Sequence, residues 1–148
     1  MRYWLGVVHR DHVRRGVDQG IAQLNHGSRA AIVRLEPGDG LVYYSPKDVY
    51  PDGRALRAFT AIGRVADGEP WQAAPMTMPG RGEVRPWRRR VEYLDGVVEA
   101  PIEPLLPVLD LTRDTPNWGW LMRRGVLELT SHDFGVIATE MGADSLVG

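Results

Sequence analysis

The chain has 148 residues, a formal net charge of −1 and no cysteine, with a pI near 6.4, so disulfides, thiolate metal sites and cysteine nucleophiles are excluded. A near-neutral balance argues against coating long duplexes by counterion release alone, and any polyanion must be gripped locally. The length suits one domain, residues 1–148, burying about 70% of the surface its unfolded chain would expose.

In chain order, residues 3–8 read as a first strand with Trp4, Gly6 and Val8 on one face and Tyr3, Leu5 and Val7 on the other. This run is too short for a signal-peptide core. No later stretch approaches the roughly 20 apolar residues of a membrane span. Together with the missing cysteines, this gives the expectation of a cytoplasmic protein with no membrane partner. Asp11 is placed to cap a short helix that Gly16 closes. An apolar link over 20–24 leads to the polar knot Asn25-His26-Gly27-Ser28, where Ser28 caps a helical turn running to Leu35.

The turn Glu36-Pro37-Gly38-Asp39 introduces the strand Gly40–Lys47, whose end carries Tyr43, Tyr44, Ser45 and Lys47. Pro46 cannot donate to a ladder, so pairing is predicted to stop there. Residues 58–65 form a second clear strand, 74–83 an exposed Pro/Gly loop, and 87–94 a strand with Trp87, Arg89, Val91 and Tyr93 on one face and Arg88, Arg90 and Glu92 on the other. Short helical pieces follow at 101–109 and 117–124, the latter ended by Gly125. Then come a strand at 126–129 and the best-marked helix, capped by Thr130 or Ser131, striped by Phe134, Ile137, Ala138 and Met141, and stopped by Gly142. Residues 143–148 are predicted to fray. Strands interspersed with short helices and without internal repeat favour an α+β fold: a small, mostly antiparallel β-barrel decorated by short helices.

The residues suited to chemistry are aromatics, amides and arginines. The faces of Trp4, Tyr43, Tyr44, Trp71, Trp87, Trp118 and Trp120 suit base stacking, and equally suit core filling. Tyr44 and Trp118 stand out beside Ser45 and Gly119 at element ends. Asn25, His26 and Ser45 can read a base edge or satisfy local backbone. Lys47 is the only lysine, and arginines cluster at 14–15, 88–90 and 123–124, where planar forks suit phosphate or a salt-bridged surface. His9, Asp11, His12 and His26 lie close in sequence but follow no metal-ligand signature. No nucleophile elbow, phosphate loop or dinucleotide fingerprint is present, and no cofactor is expected.

Several segments, in order, carry a resemblance: Tyr3-Trp4-Leu5, His12-Val13, residues 20–27 with Gln23 and His26-Gly27, and Pro37-Gly38-Asp39 leading into Tyr43-Tyr44-Ser45-Pro46. Residues 59–65, Pro86 through Val91, Trp118-Gly119, Arg124-Gly125 and Asp133-Phe134 continue it. Together they resemble the EVE domain of the PUA-like superfamily, in its stand-alone bacterial and archaeal branch, related to YTH and ASCH domains. The sequence departs from that pattern at Asn25, where a cysteine often precedes the histidine.

The resemblance implies a PUA-like barrel and a pocket for a modified base in DNA or RNA, single-stranded or flipped, with modified cytosine favoured. On this reading Trp4, Tyr44 and Trp118 wall the pocket, Asn25, His26, Ser45 and Gly119 complete it, and Lys47, Arg88, Arg89, Arg90 and Arg123 hold phosphates. Binding without catalysis is the leading expectation. The rivals are a small amide or nucleoside hydrolase of ASCH type, drawing on His26, Lys47 and Ser45, and an interaction scaffold.

Overall fold

A computed structural model describes residues 1–78 and 80–147. Its strands are β1 (Tyr3–Val7), β2 (Ile21–Ala22), β3 (Gly40–Lys47), β4 (Ala55–Val65), β5 (Trp71–Gln72), β6 (Met76–Met78), β7 (Gly82–Val84), β8 (Trp87–Tyr93), β9 (Ala100–Pro101) and β10 (Val126–Leu129). The helices are α1 (Arg10–Gln19), α2 (Arg29–Ile32) and α3 (Ser131–Glu140), with 3-10 turns between. The principal sheet runs β10-β1-β3-β4-β8-β2, with β5 on β8 and β9 on β4. All pairings are antiparallel except β1 with β3. The result is a mixed half-barrel with short helices, an α+β PUA-like fold. No helix among the described residues is long and apolar enough to cross a membrane.

Strand alternation divides the core in two. On one side Leu5, Val42, Tyr44, Phe59 and Ile62 pack with Leu109, Met122 and the α3 stripe Phe134, Ile137 and Ala138. On the other, Trp4, Leu41, Tyr43 and Ala61 pack with Val13, Leu24, Ile32 and Val91. Adjacent residues of one strand serve opposite cores because side chains alternate with period two.

Four local expectations need correction. Helix α1 passes through Gly16 and ends at Gly20, which takes the left-handed conformation at φ 66°; its N-cap is His9, not Asp11. Strand β3 continues past Pro46, since a register irregularity between Ser45 and Lys47 absorbs the missing donor and lets Lys47 pair with Ala55. Within 74–83, β6 and the first residues of β7 form a two-stranded hairpin, with Pro79 outside the described residues. The C-terminal tail docks: Ala143 is fully buried, residues 144–146 form a 3-10 turn, and Arg64 donates to the Leu146 carbonyl; Gly148 lies outside the described residues. Thr130 caps α3 as its sequence implies, accepting from the Asp133 amide.

Candidate nucleic-acid interface

A cavity of about 400 Å³ opens on the side of the second core. Its parts come from six elements. Val8 follows β1, and His12, Val13 and Arg15 project from α1. Gln23 follows β2, Tyr43 stands on β3, and Arg88 on β8. The hairpin strand β6 closes the space with Met76, Thr77 and Met78.

The polar groups are fixed by one another. Gln23 is buried, and its Oε1 accepts from Arg88 Nε at 3.0 Å, which leaves its amide hydrogens as the free donors. Arg88 also points an amino group at Met76 Sδ, 3.8 Å away. The His12 imidazole is lowered to about 4, first by burial and then by the charges of His9, Arg15 and Arg88, so it is neutral at pH 7 and offers one donor and one acceptor. Tyr43 is pushed up to about 12 by burial. Its hydroxyl lies 3.4 Å from that of Tyr93, which donates to the Ile21 carbonyl at 2.8 Å.

Of the residues that the resemblance places in the pocket or on phosphates, Arg88 alone lines this cavity, joined by Tyr43 from the stacking aromatics and Arg15 from the arginine clusters. Trp4 is fully buried; its indole donates to Asp39 Oδ2 at 2.9 Å beneath the Arg34 guanidinium, 4.6 Å from the ring centroid, and it does not line this cavity. Tyr44 is buried on the other face of β3, edge-on to Phe59 and to the half-buried Trp118 at 5.7 and 6.2 Å. Ser45 is buried, donating to the Val8 carbonyl at 2.6 Å with Thr60 Oγ1 at 2.9 Å; its hydroxyl braces the backbone beside the cavity rather than reading a ligand. Arg89 is buried with an amino group on the Gly68 carbonyl at 2.7 Å, and is not available to phosphate. Lys47 is exposed and donates to the Pro51 carbonyl at 3.1 Å. Arg90 is exposed over Trp71 at 5.8 Å.

Asn25 and His26 form an exposed left-handed corner at φ 50° and 61°. Gly27 is required next, because a Cβ there would meet the Pro86 Cβ at 2.5 Å. The corner bridges two elements. The Asn25 amide packs on Gly125, where a Cβ would approach its Oδ1 to 2.3 Å. His26 feels the charge of Arg81 on the β6–β7 hairpin and is lowered below its ordinary value, mainly by burial. Gly119 is exposed, and Arg123 is exposed with its guanidinium 4.0 Å from the Trp120 ring centroid.

Sequence reasoning missed Val8, His12, Gln23 and the two methionines as site residues, and weighed Tyr43 for stacking but placed Tyr44 in the pocket instead. The alternation of Tyr43 with Tyr44 carried a signal, since only one of the pair can face the side where α1 packs. The methionines carried none, because their hairpin is placed by tertiary contacts. Elsewhere Asp110, His132 and Asp133 bring potential ligand atoms within 4.8 Å. Their groups are engaged in holding α3: Asp133 accepts from the amides of Asp110 and Leu111 at 2.7 and 2.9 Å, Asp110 from Thr130 at 2.8 Å, and the His132 ring contacts the Val108 carbonyl at 3.1 Å.

A mixed PUA-like half-barrel with a cavity flanked by Arg15 and Arg88 defines a class of small domains whose fold is of the RNA- and DNA-binding kind. The EVE domain model matches residues 2–140, and the chain belongs to the EVE domain family. It is 51% identical over 135 residues to a UPF0310 protein of Renibacterium salmoninarum, covering 91% of each chain. It is 45% identical over 141 residues to a UPF0310 protein of Mycobacterium avium, covering 95% of this chain and 98% of that one. Against the UPF0310 protein YdcG of Bacillus subtilis the identity is 39% over 145 residues, with 96% and 93% covered.

Proposed function

We propose that this protein binds DNA or RNA carrying a modified base, cytosine-derived, by taking that base into the cavity of Val8, His12, Gln23, Tyr43, Met76, Met78 and Arg88. The observation that carries the reading is the pairing of an oriented carboxamide and a neutral imidazole with apolar walls in about 400 Å³. A cytosine edge presents two acceptors and an amino donor. The Gln23 amide hydrogens match an acceptor, and the imidazole acceptor matches the amino group. An added methyl meets Val8 and the methionine side chains, whose thioethers adapt to irregular apolar shapes.

Extrusion from a stack costs a few kcal/mol, which favours single-stranded or weakly paired substrate. One methyl in an apolar niche adds about 1–3 kcal/mol, a discrimination of roughly 10- to 200-fold. The test is fluorescence anisotropy with nine-nucleotide strands bearing cytosine, methylcytosine, hydroxymethylcytosine or methyladenine at the centre. A methylcytosine preference of tenfold or more that Gln23→Leu abolishes supports the reading. Equal affinity for all four strands, unchanged in Q23L, refutes it.

A further inference from the structure

Trp120 is 64% exposed, while every other tryptophan of the chain is 36% exposed or less. It lies in the 3-10 helix Trp118–Arg124, whose threefold period sets Trp120 and Arg123 on one face. Trp118, Leu121 and Met122 turn toward the core. The Arg123 guanidinium lies over one face of the indole, 4.0 Å from the ring centroid. Gly119 beside it leaves open space, with nothing within 4 Å of a built Cβ. Among the described residues neither Arg123 nor Arg124 has a carboxylate within 4 Å; the arginine ion pairs are those of Arg10, Arg15 and Arg113.

This platform connects to the cavity through named contacts. Gly125 ends the helix, its carbonyl accepts from the Val7 amide at 2.8 Å, and Val8 lines the cavity. On its other side Gly125 touches Asn25, and the same corner's Gly27 packs on Pro86, just past the hairpin whose Met76 and Met78 close the cavity. Trp120 lies about 10 Å from Gly125 at the rise of a 3-10 helix. We infer that Trp120 with Arg123 and Arg124 is a second stacking site, taking an unpaired base of the same strand several nucleotides from the base in the cavity, so that the ligand is a single-stranded oligonucleotide rather than a free nucleotide.

An exposed indole supplies a sequence-tolerant π-face, and two arginines without carboxylate partners supply the phosphate contacts that a strand requires. The inference rests on the proposed function and fails separately from it. The test compares wild type, Trp120→Ala, Trp120→Phe and Gln23→Leu, all checked for native circular dichroism. The probes are methylcytidine monophosphate and a nine-nucleotide single strand with one central methylcytosine.

The strand is expected to bind wild type more tightly than the mononucleotide does. W120A is expected to weaken the strand about 5- to 150-fold, the contribution of one stacked base, while W120F recovers most of it and mononucleotide binding is unchanged. W120A binding the strand like wild type, or wild type binding strand and mononucleotide equally, overturns the second site. Sensitivity to W120A with indifference to Q23L and to the methyl group keeps the stacking site and removes the cavity reading. Absence of any binding to either probe overturns both.

Discussion

Asp39 shows how much one side chain holds in this molecule. Its carboxylate accepts from the Arg2 amide at 3.0 Å, the Trp4 indole at 2.9 Å and the Glu36 amide at 3.0 Å, tying β1 to the turn that starts β3. Asp39→Ala strands these donors in a buried place, and we expect a loss of about 2–4 kcal/mol, read as a lowered urea midpoint at unchanged slope. His12 sets a pH dependence. Its folded value, about 4, lies below its ordinary 6.5, so between these values the unfolded chain binds the extra proton. Its contribution is complete above pH 6.5 and is lost as pH falls toward 4. Allowing for solvent screening, about 1–2 kcal/mol is at stake, and His12→Gln is expected to flatten the stability profile across that window. If the profile of the variant matches wild type, His12 does not carry the effect.

At the level of elements, the hairpin of β6 and β7 is the part of the cavity wall least secured. Among the described residues it pairs only with itself, over three residue pairs, and the backbone bond from Ala73 to Pro86 at 2.8 Å and the Gln72 side chain on the Arg85 carbonyl at 3.1 Å tie its base. Amides of 76–78 and 82–84 are therefore expected to exchange hydrogen faster than those of β3 and β4, and to slow when a strand occupies the cavity. Exchange rates that ignore ligand would remove the hairpin from the site. The corner at 25–27 behaves in the opposite way. Gly27 sits at φ 85° against Pro86, so Gly27→Val combines backbone strain with a clash, and should cost more than 2 kcal/mol and shift the Asn25-His26 corner; a thermal melt with the wild-type midpoint would contradict this.

Across the whole molecule a net charge of −1 coexists with local groups of arginines, of which Arg81, Arg88, Arg123 and Arg124 have no carboxylate partner among the described residues. Arg15 and Arg88 stand at the cavity, Arg81 beside His26, and Arg123 and Arg124 beyond Gly125. On the proposed function, such a surface would contact a short strand through a few phosphates. The slope of log affinity against log salt for single strands is expected near −1.5 to −3, the value for roughly two to four contacts. A slope steeper than about −6 would indicate general polyanion coating. A slope near zero would indicate that phosphates play no part.

The long strands β3, β4 and β8, the face of each residue on β1, the span of β10 and the cap of α3 were legible because each depends on neighbours in sequence: a period of two, a threonine three residues before an aspartate, a glycine at a turn. The α+β class and the family followed from the order of these signals. What residues such as Trp4, Tyr44, Ser45 and Arg89 do was not legible, since an aromatic or an arginine has the same local signature in a core and at a pocket. The packing of α1 across one face of β3 chose Tyr43 over Tyr44 for the cavity, and the return of the β6–β7 hairpin brought Met76 and Met78 to it. Local propensity determined the elements; burial, which sums contacts from distant parts of the chain, decided which side chains were left to meet a ligand.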